Sequence, residues 1–248
     1  MGVRTDRGSL LDAVAARLPP CWTVPPSPAV DRLYSIVAGG PAPRGVRRFF
    51  LLYQGGALLL RTLNADECLD ALDTDIRLYV AERARSYLCI HAGVVGWKGN
   101  AIVIAGRSRS GKTTLVRALL DAGATYYSDD CAFIDDRGFV HPFATPLSIR
   151  DESSAQQRKV RPDELGATTG TEPLQLGLVT LASYRKGAVW RSRKLSPGRA
   201  AIALIRNSAS VRVHPRLALD RLQRIVVNVR VLTGVYGDTA DICREILT

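Results

Sequence analysis

Residues 106–130 read GRSRSGKTTLVRALLDAGATYYSDD, and the fold is decided at the start of this stretch. Gly106, Gly111, Lys112 and Thr113 satisfy the spacing G-x-x-x-x-G-K-[ST]. Glycines at those places let a loop wrap a phosphate chain, so that successive backbone N–H groups point at its oxygens. The helix expected to start near Lys112 adds its positive N-terminal end. Lys112 should reach the β- and γ-phosphates, and the Thr113 hydroxyl should hold Mg2+. The whole cradle is Gly106, Arg107, Ser108, Arg109, Ser110, Gly111, Lys112, Thr113 and Thr114. Its surroundings agree. An apolar, β-rich run (NAIVIAG, 100–106) precedes it, and an amphipathic helical pattern closed by Gly123 follows. This is a nucleotide site of a kind that GTPases, motor and transport ATPases and kinases share.

The far end of the quoted stretch carries a second signal. Asp129 and Asp130 end the run TYYSDD, which reads as a short strand after the helix. The tip of such a strand should lie beside the cradle, where α/β sheets place their ligands. One carboxylate there would hold Mg2+, and the other would accept a proton from an attacking hydroxyl. Asp135-Asp136, followed by Arg137-Gly138, instead fits a surface turn. His91 precedes Ala92-Gly93 at the end of the strand pair that feeds the cradle. As single histidines, His91, His141 and His214 read first as packing residues.

Outward from this centre, CIHAGVV and NAIVIAG are near-continuous apolar runs, as in strands buried on both faces. CAFID, FVHPF, GLVTLASY and VRVLTGVY read as further strands. Helices are expected at SPGRAAIALIRNS, with Ser196 as cap and Pro197 at its first position, at LALDRLQRIV and at DTADICREIL. Residues 151–176 are polar and without sustained period, so a mobile loop is expected there, with one helical turn at RPDEL (161–165). The first third is different. Residues 1–18 read as an amphipathic helix, three apolar bursts between 32 and 62 read as strands, and a helix capped by Asn64 follows. The chain thus divides into a small α+β region (1–87) and an α/β domain (88–248).

Composition narrows the function classes. Hydrophobic residues make up 46% of the 248 positions, enough for a sizeable core. No apolar run is long enough to span a bilayer, and Asp12 and Arg17 interrupt the N-terminal apolar pattern in a way a secretion signal would not. A cytoplasmic location is expected, with five scattered cysteines that carry no zinc or disulfide pattern. The net charge of +11 comes from 29 Arg against 5 Lys and could steer anions. Beyond RRF and RSRK dense basic runs are lacking, and aromatics make up only 6%, so nucleic acid is not an expected partner. No membrane contact is expected, and a homo-oligomeric state stays open.

The ordered set HAGVV, IAGRSRSGKTTL and YYSDD resembles the catalytic domain of the HPr kinase/phosphorylase family, and above all its shorter relatives, the HPr-kinase-related and lasso-peptide-kinase-like proteins. The likeness covers roughly residues 88–210. It implies an α/β P-loop kinase core of the HPr kinase/PEP carboxykinase-like type, here with the small N-terminal α+β cap. It further implies an ATP- and Mg2+-dependent serine kinase acting on a peptide or small protein, such as a ribosomally made lasso-type precursor. Carried over, Asp129 would be the general base, Asp130 would support the metal, and His91 would sit near the γ-phosphate. Arg150 in PLSIRDE and Arg199 in SPGRA would be cations at the phosphates. Ser148 stands where the family has Glu, leaving Asp151 or Glu152 to supply that carboxylate. Two alternatives remain: a nucleotide-binding regulatory module that transfers nothing, and a small-molecule kinase.

Overall fold

A computed structural model describes residues 1–18, 22–39, 49–150 and 157–248, without the side chains of Arg150 and Gln157. The chain forms two compact units, Met1–Val80 and Ala81–Thr248. The division falls inside a helix several residues before the 87/88 boundary expected from sequence, because the helical pattern that starts at Asn64 runs on unbroken through it.

In the first unit the order is β1 (Gly2–Thr5), α1 (Gly8–Ala15), β2 (Leu33–Ala38), β3 (Phe50–Gln54), β4 (Ala57–Thr62) and α2 (Ala65–Arg83). The four strands form one sheet in the order β1-β2-β3-β4. The three apolar bursts became β2, β3 and β4, and Asn64 Oδ1 accepts the Asp66 N–H at 2.8 Å to cap α2. Residues 1–18 differ from the expected single helix. Gly2–Thr5 pair in parallel with Leu33–Ile36, a long-range partnership that local periodicity cannot register. Leu10, Val14, Tyr34, Ile36, Leu52, Leu72 and Ile76 form this unit's core.

The second unit contains β5 (Leu88–Trp97), β6 (Asn100–Ala105), α3 (Lys112–Asp121), β7 (Thr125–Ser128), β8 (Cys131–Ile134), β9 (Phe139–His141), β10 (Leu147–Arg150) and β11 (Gln157–Val160). It continues through β12 (Leu174–Tyr184), β13 (Arg193–Lys194), α4 (Pro197–Ile205), α5 (Ser210–Val213), α6 (Pro215–Asn228), β14 (Arg230–Tyr236) and α7 (Thr239–Ile246). Its large sheet has the order β13-β14-β12-β6-β5-β8-β9, with β7 also paired to β5. Strands β6, β12 and β14 are parallel to one another, whereas β5 and β6 form a hairpin. Lys98 and Gly99 turn that hairpin with φ of 47° and 78°, the signs of a two-residue type I′ turn.

Side chains alternate across β6. Ala101, Val103 and Ala105 join α4 and α6 on one face, while Ile102 and Ile104 join α3 and α7 on the other. Both faces are therefore covered, which is why these strands read as continuous apolar runs. The architecture is mixed α/β, three layers deep.

The segment 151–176 carries more structure than expected. Gln157–Val160 pairs antiparallel with Leu147–Arg150 and β12 already starts at Leu174, while the 3-10 turn Asp163–Leu165 falls where a helical turn was expected. Residues 151–156, with Asp151 and Glu152, lie outside the described residues. The strand was illegible because its partner, and not its own periodicity, makes it one. Among the described residues no helix is long and apolar enough to cross a membrane.

Candidate functional site

The cradle forms where β6 ends and the chain turns through Gly106–Gly111 into α3. Gly111 adopts φ 93°, and a Cβ there would lie 2.4 Å from Tyr236 Oη and 2.9 Å from Tyr184 Cβ. Only glycine fits both the angle and the space. The Tyr236 hydroxyl donates to the Gly111 carbonyl at 2.9 Å, and the Tyr184 N–H donates to the Ser110 carbonyl at 2.9 Å. Two strands thus hold the loop's carbonyls. Lys112 is buried and donates to the carbonyls of Gly106 and Arg107, each at 3.0 Å. Burial lowers its pKa, and the Asp129 charge opposes that shift. Ser110 Oγ is buried without a hydrogen-bond partner among the described residues, which suits a group that a phosphate oxygen would satisfy. Arg107, Ser108, Arg109 and Thr114 are exposed.

The acidic pair folds back to this loop. Thr113 Oγ1 donates to Asp129 Oδ2 at 2.8 Å, and the Ser148 N–H approaches the same oxygen at 3.4 Å. Strands β7 and β8 both pair with β5, so the Asp129-Asp130 link between them runs alongside Ala92-Gly93. Asp129 is buried, Asp130 only half-buried.

His91 completes the cluster. Its main-chain N–H donates to the Asn207 carbonyl at 2.7 Å, and its Nδ1 lies 2.9 Å from the Asp130 carbonyl. A carbonyl only accepts, so Nδ1 is assigned the proton and Nε2 keeps its lone pair. Burial first, and then the Lys112 charge, push the His91 pKa down to about 4. The ring is neutral at pH 7 and can accept a proton.

This depressed pKa sets a pH dependence. The unfolded ring titrates at its ordinary 6.5 and the folded one near 4. Its stabilising contribution is complete above about pH 6.5 and is lost as pH falls toward 4. His91→Gln, which cannot be protonated, should show a shallower fall in melting temperature between pH 7 and pH 4. Parallel curves for both proteins would contradict a buried neutral ring.

Several expected site residues are placed otherwise. Arg150 ends β10 opposite Gln157 and two residues beyond Ser148, but its side chain lies outside the described residues. Arg199 is exposed in the first turn of α4. It sits eight residues before Asn207, the residue that meets His91, or about 12 Å away along a helix axis. Among the described residues no hydrogen bond or ion pair joins Arg199 to the cradle, and it lies at the start of the helix whose far end leads to Asn207. Leu195 has already returned to the level of Val231, near the start of β14 and away from Tyr236. Asp135-Asp136 is structural. Asp135 Oδ1 accepts the N–H groups of Arg137 and Phe139, both at 2.9 Å, and Asp136 pairs with the buried Arg221. Sequence reading missed Tyr184, Tyr236 and Asn207, which support the site from 74 to 125 residues away and carry no motif.

No group of three or more His, Cys, Asp or Glu that could hold a metal exists among the described residues. The oxygens of Thr113 and Asp129 nevertheless fit Mg2+, a hard cation that needs only one or two protein oxygens when phosphates and waters complete its shell.

No protein-family model and no curated protein matches the chain. Among solved structures it is similar to the HPr(Ser) kinase/phosphatase from Coxiella burnetii, at 13% identity and a TM-score of 0.32. That alignment covers 64% of this chain and 92% of the other. So distant a likeness leaves the functional reading to the geometry of the cradle.

Proposed function

We propose that the protein is a P-loop kinase of the HPr kinase type, which transfers the γ-phosphate of ATP to a serine hydroxyl of a peptide or small protein. The observation that carries this reading is the 2.8 Å hydrogen bond from Thr113 to Asp129. It joins the two ends of the quoted stretch in one site, with His91 and Asp130 beside them. Phosphoryl transfer needs positioning and charge compensation more than covalent chemistry. The loop amides, Lys112 and the α3 N-terminus would bind the triphosphate. Thr113 and Asp129 would hold Mg2+, which when bound offsets phosphate charge.

The geometry favours exchanging the roles expected for the two acids. Asp129 is buried against Thr113, on the metal side. Asp130 is the more accessible acid, with its main-chain carbonyl on His91 Nδ1, and we assign it to take the proton of an acceptor hydroxyl. The net charge of +11 suits an acidic acceptor segment, such as a ribosomal peptide precursor.

Incubation with ATP, Mg2+ and a panel of serine-containing peptides should give products heavier by one phosphate, read by mass spectrometry. ATP binding without any transfer would favour the regulatory module. Transfer confined to small hydroxyl compounds would favour the small-molecule kinase.

A further inference from the structure

We propose that Tyr184 is the stacking platform for the base of the nucleotide, an inference that rests on the nucleotide reading of the cradle. The order of strands sets the direction. Asp129, Asp130 and His91 lie on the β5 and β8 side of β6, whereas Tyr184 and Tyr236 end β12 and β14 on its other side. A triphosphate whose terminal phosphoryl group points at the acids must lead its sugar and base the opposite way, across β6 toward β12. Two strand spacings separate β5 from β12, about 10 Å.

At that place the sheet offers an aromatic ring. Tyr184 is 51% exposed, although its main chain is bonded to Ser110 and its Cβ touches the Gly111 position. It packs edge-on against the buried Tyr236, with ring centroids 5.7 Å apart at 66°. The turn that follows is held firmly. Ala188 N–H donates to the Arg185 carbonyl at 3.0 Å, and Arg185 N–H donates to the Tyr236 carbonyl at 2.9 Å. Gly187 supplies φ 74°, and Gly237 admits the turn so closely that a Cβ would lie 2.6 Å from Ala188 N and O. A half-exposed ring on an anchored turn, directly beside a phosphate loop, is pre-organised to stack a planar base at small entropic cost. Stacking alone reads aromaticity and area, so a purine is the expected occupant.

Calorimetry on the full chain with Mg2+ tests this, using ATP and inorganic tripolyphosphate as the two probes. Wild type should bind ATP more tightly than tripolyphosphate. Tyr184→Ala should weaken ATP about 10- to 100-fold, the range for loss of one base–aromatic stack, and leave tripolyphosphate unchanged. Tyr184→Phe should retain ATP affinity, since the ring does the work. Unchanged ATP affinity in Tyr184→Ala would overturn the proposal. So would equal weakening of both probes, because Tyr184 would then merely support the loop. If wild type bound neither probe, the cradle reading itself would fail, and the platform with it.

Discussion

Asp130→Asn is expected to slow phosphate transfer about 100- to 10,000-fold, the usual contribution of a positioned proton acceptor, with ATP affinity in Mg2+ left near wild type. Asp129→Asn is expected to behave differently. It removes the charge next to Thr113 and Lys112, so Mg2+-dependent ATP binding should fall together with transfer. Rapid-quench assays of transfer and calorimetric titrations of nucleotide separate the two. The reverse pattern, with binding lost in Asp130→Asn and kept in Asp129→Asn, would restore the roles implied by the family resemblance. Full activity in both variants would remove the acidic pair from the chemistry. The contrast follows from burial. Asp129 is 4% exposed and engaged with the loop, whereas Asp130 keeps part of its surface open to an incoming hydroxyl.

Gly93→Ala should destabilise the α/β unit by about 1–3 kcal/mol, the cost of overfilling a close-packed contact, and should depress transfer beyond that. The added Cβ would lie 2.4 Å from Val116 Cγ2 and 3.7 Å from Asp129 Oδ1. Val116 sits one turn into α3, the helix that begins with the cradle lysine. The helix must lift from β5 to admit a methyl group, and the loop moves with it relative to Asp129. A drop in melting temperature of roughly 2–12 °C follows from the size of the unit. A wild-type melting curve would show that α3 does not pack as closely as described. Normal transfer at a lowered melting temperature would show that the helix shift does not reach the loop. Ala is the smallest probe of the HAGVV stretch, because Gly93 is needed there for closeness and not for backbone angle.

How much of this was legible in the chain depends on the range of the interaction. The cradle could be read directly, because its glycines act through local backbone geometry and its lysine hydrogen-bonds to its own loop. The β5–β6 hairpin, α3 and the helices with Pro at their first turn were legible for the same reason. Strands β1 and β11 were not, since each is short, without a clear alternation, and exists by pairing with a segment that local pattern does not identify. The expected cation Arg199 illustrates a related limit. A motif fixes the order of residues along the chain, but whether the start or the end of α4 meets the sheet tip depends on how β13 runs against β14.

For this protein, then, sequence by itself determined a glycine-rich loop between a buried strand and a helix, an α/β sheet covered on both faces, and an acidic doublet at a strand end. Folding in three dimensions decided the rest: that Asp129 meets Thr113, that the Asp130 carbonyl orients His91, and that two tyrosines from β12 and β14 brace the loop. The physical reason is the same in each case. Glycine angles and helix starts are set by neighbours a few residues away, whereas hydrogen bonds spanning 16 to 125 residues exist only once the sheet has brought its strands into register.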